Sequence, residues 1–305
     1  MIVRLCRSGA IVLAIACLCL VDAPVALGSD EATDAEYLPG TPFTYLFDTR
    51  NPSPRALSAR ALAAKDGWTL VSEDNTDHHF EGDAVVVNDK LAVVLRRNGP
   101  GAEVYALAPA GAQFRAVVMS ADRKAVAVSG TSSIEIEDNN PGAVELMATF
   151  QTDGAAGRTT AAYRLTTGQS MLELACGEGA DRLFVWCKTR YSVVPDFFGH
   201  DMAFTPAVCD LPRFGLPTQN FLLNLIAGGD CIVMCVWPSA EQQTHAVLTG
   251  EGPDRVIRGC EIQGGAQRTL SVAFLERAGI WHEAKAAADD WKPPFDARWR
   301  ADRLT

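Results

Sequence analysis

The densest group of potentially reactive side chains lies in one segment, VVPDFFGHDM, which contains Asp196, His200 and Asp201. A carboxylate beside an imidazole is the pairing that general acid–base catalysis uses, and both groups also bind metal ions. Gly199 allows the backbone to turn sharply, so the three side chains could converge. The alternative is a solvated loop in which aromatic residues such as Phe197 pack inward and the polar groups face water. We take Asp196, His200 and Asp201 as candidate catalytic residues.

A second segment with the same chemistry is DHHFEGD, at residues 77–83. Neighbouring side chains of an extended segment point to opposite sides, so only one of His78 and His79 can join a common site. His79 and Glu81 are two residues apart and share a side. We take His79 as the fourth catalytic candidate, with a plain surface turn as the alternative. The sequence assigns no metal ion and no cofactor.

Aromatic side chains suggest a different chemistry, which is carbohydrate binding. Their rings stack on the apolar faces of sugars while neighbouring amide and acidic groups bond the hydroxyls. Trp237 ends an apolar run directly before a proline, where a strand would reach the rim of a sheet. Ordinary core packing is the alternative for such rings. The candidate ligand-binding residues are Tyr191, Phe197, Asn220 and Trp237.

Other classes of function lack their signatures in this sequence. There is no GxGxxG motif after a strand, no phosphate-binding loop with lysine, no GxSxG and no HExxH. The net charge of −10 and the absence of clustered lysine and arginine argue against a nucleic-acid partner. The sequence assigns no oligomeric state.

The first 28 residues have the pattern of a secretory signal peptide. Arg4 and Arg7 precede an apolar run at residues 10–21, and small residues stand at Ala26 and Gly28. No later stretch approaches the roughly 20 apolar residues of a membrane span. We therefore expect export, to the periplasm, the cell surface or the medium, after cleavage near Gly28. Lipid attachment at Cys17 is the less favoured alternative.

Six cysteines follow the signal peptide, and we expect most of them to be free and buried. Cys231 and Cys235 lie four apart on one apparent strand, so they share a face at about 13 Å, which is too far for a disulfide. Cys176 and Cys187 lie inside apolar runs, where a thiol behaves as a small core residue. A disulfide framework is the alternative for an exported chain.

The elements that must position these groups are mostly strands. An Ala-rich segment at 54–65 predicts a short helix ending near Gly67, and the preceding proline-rich segment at 39–54 predicts an extended lead-in outside the core. From Trp68 onward, about fifteen short apolar runs alternate with turn residues. Hairpins are predicted around 83–97 and 144–165, and a second helix at 276–290. So many strands with almost no helix between them exclude parallel βαβ units.

The sequence thus predicts an all-β fold, a large antiparallel β-sandwich with short N- and C-terminal helices. We assign 1–28 to the signal peptide, 29–66 to the lead-in and first helix, 67–276 to the sandwich and 277–305 to the C-terminal helix and tail. Residues 191–220 are predicted as one long loop that interrupts the strands. Long ordered loops of this kind are usually functional.

Three strings, YRLTTGQSMLEL, VVPDFFGHDM and NFLLNLIAGGDCIVMCVW, within this strand pattern resemble exported bacterial proteins with the galactose-mutarotase-like sandwich. The resemblance covers about residues 68–276 and implies a glycan partner. It transfers no catalytic residue. Two hypotheses follow: an exported protein that binds or processes carbohydrate, or a non-catalytic interaction module of a longer exported protein.

Overall fold

The computed structural model describes residues 37–39, 41–121, 128–152, 158–195, 201–206, 210–238, 242–263 and 269–276. Asp196, Phe197 and His200, the signal segment, and the helix predicted after residue 276 lie outside these ranges. The described residues form one α-helix, α1 (Ala59–Ala64), a short 3-10 helix (Gly252–Asp254) and eighteen strands. The strands are β1 (Tyr45–Asp48), β2 (Thr69–Val71), β3 (Ala84–Val87), β4 (Leu91–Leu95), β5 (Ala102–Ala108), β6 (Gly111–Ala121), β7 (Val128–Asn140), β8 (Ala143–Thr152), β9 (Arg158–Thr166), β10 (Met171–Cys176), β11 (Arg182–Val194), β12 (Met202–Phe204), β13 (Arg213–Leu216), β14 (Phe221–Ile226), β15 (Ile232–Val236), β16 (Thr244–Thr249), β17 (Val256–Gln263) and β18 (Thr269–Leu275).

The strands form two antiparallel sheets that share β11. The first sheet runs β2-β1-β3-β4-β5-β6-β11-β17-β16-β13. The second runs β7-β8-β9-β10-β18-β15-β14-β11-β12. The first half of β11 pairs with β6 and β17, its second half pairs with β14 and β12, and its register shifts around Thr189. Such irregularities let one strand pass between two sheets. The predicted all-β antiparallel sandwich is confirmed.

One hydrophobic core fills the space between the sheets. Alternate residues point inward, so Val144, Leu146 and Phe150 of β8 are buried together, as their spacing predicts. Tyr163 of the second sheet donates its hydroxyl hydrogen to the carbonyl of Val118 in the first sheet at 3.2 Å. The two sheets therefore share a single core.

The outer face of the first sheet is divided into a covered half and an open half. Leu62 of α1 packs with Phe47, Val94 and Tyr105 over the strands near β1. The helix prediction is confirmed, and the helix begins after Ser58, whose hydroxyl accepts the N–H of Ala61 at 3.1 Å. The remaining half, on β6, β11, β17, β16 and β13, carries polar and aromatic groups instead.

Two sequence interpretations are wrong. The proline-rich lead-in contains β1, whose Leu46 and Phe47 are buried and which pairs with β2 and β3. The predicted loop at 191–220 contains the end of β11 and the strands β12 and β13. These strands have three or four residues, too few for alternation to be visible in the sequence. The predicted domain boundaries stay predictions. Within the described part of the chain, no helix has the length and apolar character to cross a membrane.

Candidate functional site

The structure does not bring the described catalytic candidates into one cleft. His79 is exposed and lines a small cleft of about 160 Å³ together with Arg97 and residues 131–134. Asp201 is exposed just before β12, and no residue of 201–206 lines the His79 cleft. With Asp196 and His200 outside the described ranges, all four catalytic assignments stay predictions.

The ligand-binding candidates are also dispersed. Tyr191 is partly buried and packs against an apolar cluster on the outer face of the second sheet. Asn220 is exposed, and its carbonyl accepts the N–H of Trp237 at 2.9 Å. Trp237 itself is only 1% exposed and belongs to the core, so its ring has no free face for a sugar. Ordinary core packing, which was the alternative for these aromatic rings, is therefore the arrangement found for Trp237.

His78, rather than His79, has a carboxylate partner. Its Nε2 donates to Oδ2 of Asp48 at 3.0 Å, and Asp48 is completely buried. Burial is the largest single effect on Asp48 and alone would raise its pKa. Hydrogen bonds from the backbone N–H groups of Glu81, Arg50 and Gly82 act in the opposite direction, as does the side-chain hydrogen bond from His78. Together these hydrogen bonds outweigh burial, and the pKa of Asp48 is lowered. The pair therefore ties the 77–83 segment to the end of β1. No sequence pattern indicated that Asp48 was its partner.

The open half of the first sheet's outer face holds the best-defined polar group in the described structure. Strand alternation places the polar and aromatic side chains of β11, β16 and β17 outward, while their neighbours Leu183, Ala246 and Cys260 face the core. Glu261 pairs across the ladder with Phe184 on one side and with His245 on the other. We call this surface the arginine face. It is formed by Arg182, Phe184, Trp186, Arg213, His245, Arg258 and Glu261.

A buried carboxylate organises the arginine face. Glu261 is 2% exposed, and its Oε1 accepts hydrogen bonds from Nη1 of Arg182 at 2.9 Å and from Nη2 of Arg213 at 3.0 Å. The Nη2 of Arg213 also donates to Nδ1 of His245 at 3.1 Å. A guanidinium has no acceptor, so Nδ1 must carry the lone pair, and the proton of the neutral ring is on Nε2.

The surroundings of His245 favour its neutral form. Burial is the largest effect that lowers its pKa, and the positive charge of Arg213 lowers it further. The carboxylate of Glu261 acts in the opposite direction, and Arg182 again lowers the pKa. The lower pKa shows that burial and positive charge outweigh the single carboxylate at this position.

An irregularity in β17 places the third arginine. In the β16–β17 ladder the pairing passes from Gly259 to Ile257 and omits Arg258, which is exposed. A Cβ on Gly259 would lie 2.0 Å from the carbonyl oxygen of Val185, so only glycine fits there. The guanidinium carbon of Arg258 lies 3.5 Å from the centre of the Trp186 ring, a cation–π contact.

The arginine face has an excess of positive charge. It combines three guanidinium groups with one carboxylate and a neutral histidine. In the described ranges, Arg182 and Arg213 form ion pairs with Glu261 alone, and Arg258 forms none. The protein as a whole has a net charge of −10. This arrangement can bind an anionic group by charge-assisted hydrogen bonds.

A second polar cleft, of about 580 Å³, lies beside β12. Thr205, Asp210, Glu251 and Arg255 are among its lining residues. Arg255 donates a hydrogen bond to the carbonyl of Leu211, which holds the two sides of this cleft together. Among the described residues, no group of three or more His, Cys, Asp or Glu side chains could hold a metal ion.

Sequence reasoning missed the arginine face for an identifiable reason. Arg213, His245 and Glu261 belong to three separate strands, and only the pairing of β13, β16 and β17 brings them together. The available signal was the charged residue at an outward position of each strand. That signal gives the direction of a side chain but not its neighbour.

No protein-family model and no curated protein sequence matches the chain. Similar solved structures include a family 81 glycoside hydrolase from Clostridium thermocellum, with 13% identity, a TM-score of 0.32, and coverage of 63% of this chain and 21% of that one. The periplasmic domain of Thermotoga maritima YidC has 8% identity and a TM-score of 0.35, covering 67% and 87%. A family 36 α-galactosidase from Geobacillus stearothermophilus has 11% identity and a TM-score of 0.38, covering 65% and 40%. At these TM-scores the likenesses carry no argument about function.

Proposed function

We propose that the protein is an exported carbohydrate-binding β-sandwich whose arginine face binds a glycan that carries carboxylate groups. The observation that supports this is the excess of guanidinium groups around Glu261, beside the partly exposed ring of Trp186. The galactose-mutarotase-like resemblance of the sequence agrees with a glycan ligand.

Each part of the arginine face has a role in this proposal. Arginine presents planar pairs of N–H donors that match a carboxylate, so Arg258 and Arg213 would hold the acidic group of a uronate. The hydrogen bond from Arg213 to Nδ1 of His245 puts the ring proton on Nε2. This Nε2–H would donate to a sugar hydroxyl. The stacked Trp186 and Arg258 supply a flat surface on which a sugar ring can lie.

We favour binding over processing of the glycan. Among the described residues of the arginine face, the carboxylate of Glu261 is bonded to two arginines and the acceptor nitrogen of His245 is occupied. Neither group is free to accept a proton from a sugar, which a general base must do. Catalysis by His79, Asp196, His200 or Asp201 would be the processing alternative.

Calorimetric titration of the chain without its signal segment would test the proposal. We expect uronate oligosaccharides to bind more tightly than neutral oligosaccharides, and we expect added salt to weaken the binding. Arg258→Gln removes a charged partner and should weaken binding about 10-fold or more. Arg60→Gln, on the exposed side of α1, is the matched control and should bind like the unmodified chain.

Equal binding of acidic and neutral oligosaccharides would contradict the anionic ligand. A loss of binding affinity with Arg60→Gln as large as that with Arg258→Gln would contradict the assignment of the binding site to the arginine face. Release of reducing ends, or absorbance from unsaturated uronides, would favour the processing alternative over binding alone.

A further inference from the structure

Two buried cysteines face each other between the sheets. Cys235 belongs to β15 of the second sheet and Cys260 to β17 of the first, and both are completely buried. Their sulfur atoms are 3.9 Å apart, so the structure shows two thiols in contact and not a bond. This contact joins strands that have no hydrogen-bonded pairing with each other.

The surrounding polar groups fix the position of both sulfurs. The Nδ2 of Asn224 donates to the sulfur of Cys260 at 3.6 Å and to that of Cys235 at 3.8 Å. The Oδ1 of Asn224 accepts the hydroxyl of Ser192 at 2.9 Å, and both of these residues are completely buried. A buried amide with these partners holds both thiols beside its nitrogen.

The other described cysteines have different surroundings. The sulfur of Cys187 lies 3.4 Å from the hydroxyl of Thr189, and that of Cys231 lies near Glu276 and Arg115. Cys176 is only partly buried. Cys209 lies outside the described ranges. Among the five cysteines of the described ranges, Cys235 and Cys260 are the pair whose sulfur contact is held by a buried amide.

We propose that Cys235 and Cys260 are a modification site, at which a disulfide links the two sheets when the chain folds under oxidising conditions. The reaction breaks two S–H bonds and forms one S–S bond. An external disulfide, R–S–S–R, accepts the two electrons and two protons and leaves as two R–SH molecules. The sulfurs must approach each other by about 2 Å, to a bond length near 2.05 Å.

The burial of the pair determines when this reaction takes place. The attacking group is a thiolate, which forms in contact with water, and the oxidant must reach it. Neither condition holds once β15 and β17 have packed together. Oxidation therefore takes place during folding, and the finished disulfide is protected from reductants while the protein stays folded.

Refolding the denatured, reduced chain with and without a mixture of oxidised and reduced glutathione tests this inference. After alkylation in denaturant, we expect the oxidised sample to lose two alkylated sites, and peptide mass mapping should join the Cys235 and Cys260 peptides. The crosslink should raise the melting temperature by about 5–10 °C. The folded, reduced protein should stay reduced in the same mixture for much longer than the unfolded chain.

Two further results can overturn the inference. If both thiols are still alkylated after oxidative refolding, or if another pair predominates, the assignment is wrong. After oxidative refolding, Cys260→Ala should show no gain in melting temperature, whereas Cys176→Ala should show the same gain as the unmodified chain. Oxidation of the folded protein at the rate of the unfolded chain would contradict the argument from burial. None of these readouts depends on glycan binding.

Discussion

His245 lies between two arginines and one carboxylate, and its hydrogen bond to Arg213 requires a neutral ring. Protonation would place a fourth positive charge on the arginine face and break this bond, because both partners would then be donors. Folding of the protein and protonation of His245 are therefore coupled.

The stability of the protein should fall as the pH drops through the titration of His245. The pKa of His245 is lowered in the folded chain, whereas an unfolded histidine titrates near pH 6.5. On acidification the unfolded chain takes up this proton first, so the unfolding free energy decreases, and above this range the contribution is constant. Urea denaturation between pH 8 and pH 5 should show this decrease.

The matched variants assign the effect to its residue. His245→Gln should reduce the slope of unfolding free energy against pH, while Arg60→Gln, on the exposed side of α1, should leave it unchanged because arginine stays charged in this range. If the slope of His245→Gln equals that of the unmodified protein, His245 does not cause the pH dependence.

Single residues also show where sequence reading reaches its limit. The outward direction of Glu261 follows from alternation, but its two arginine partners come from β11 and β13, far away in sequence. Trp237 shows the reverse case. Its place at the end of a strand was predictable, but whether the core between the sheets would enclose its ring was not.

The bulge in β17 is the element that builds the arginine face. In an uninterrupted strand, residues three apart face opposite sides, yet Ile257 and Cys260 are both completely buried in the core. The extra residue at Arg258 allows this and carries its guanidinium outward to Trp186. The close approach of Gly259 to Val185 is the condition for this geometry.

Gly259→Ala should therefore destabilise the protein strongly. The added methyl group would lie 2.0 Å from the carbonyl oxygen of Val185, in the backbone of the neighbouring strand, which cannot move away freely. We expect the unfolding free energy to decrease by about 1–3 kcal/mol or more. Thermal and urea denaturation would measure the loss.

Gly215→Ala is the control for this substitution. Gly215 lies on β13 of the same sheet, and a Cβ there would contact no atom within 4 Å. The unfolding free energy of the Gly215→Ala variant should stay within about 0.5 kcal/mol of that of the unmodified protein. If the two variants are equally stable, the close approach at Gly259 does not shape β17.

Elements with several alternating residues were predictable from the sequence, as the hairpin of β8 and β9 shows. The strands β12 and β13 were not, since three or four residues give no periodic signal. The bulge in β17 was also hidden, because a lone glycine in a strand does not reveal which carbonyl approaches it.

In the whole molecule, an acidic protein carries a basic surface on the part that the structure describes. The net charge of −10 is a property of the full sequence, whereas the arginine face gathers three arginines around a single carboxylate. An anionic glycan would be repelled by most of the protein and attracted to this surface, which favours one orientation of binding.

The proposed export has a direct test. Expressed from its full sequence in a bacterium with a periplasm, the protein should be recovered from the periplasmic fraction with an N-terminus at or near Ser29. Deletion of residues 2–28 should leave it in the cytoplasm. Recovery of the chain with residues 1–28 intact would contradict a cleaved signal peptide, and a lipid on Cys17 would support the alternative.

The passage of β11 from one sheet to the other has a consequence for any attempt to divide the protein. Its first half completes the ladder between β6 and β17, and its second half completes that between β14 and β12. Chain order does not follow the sheets either, because β13, β16 and β17 return to the first sheet after most of the second has formed. No single cut yields two halves that each retain a whole sheet, so complementary fragments should become ordered only together.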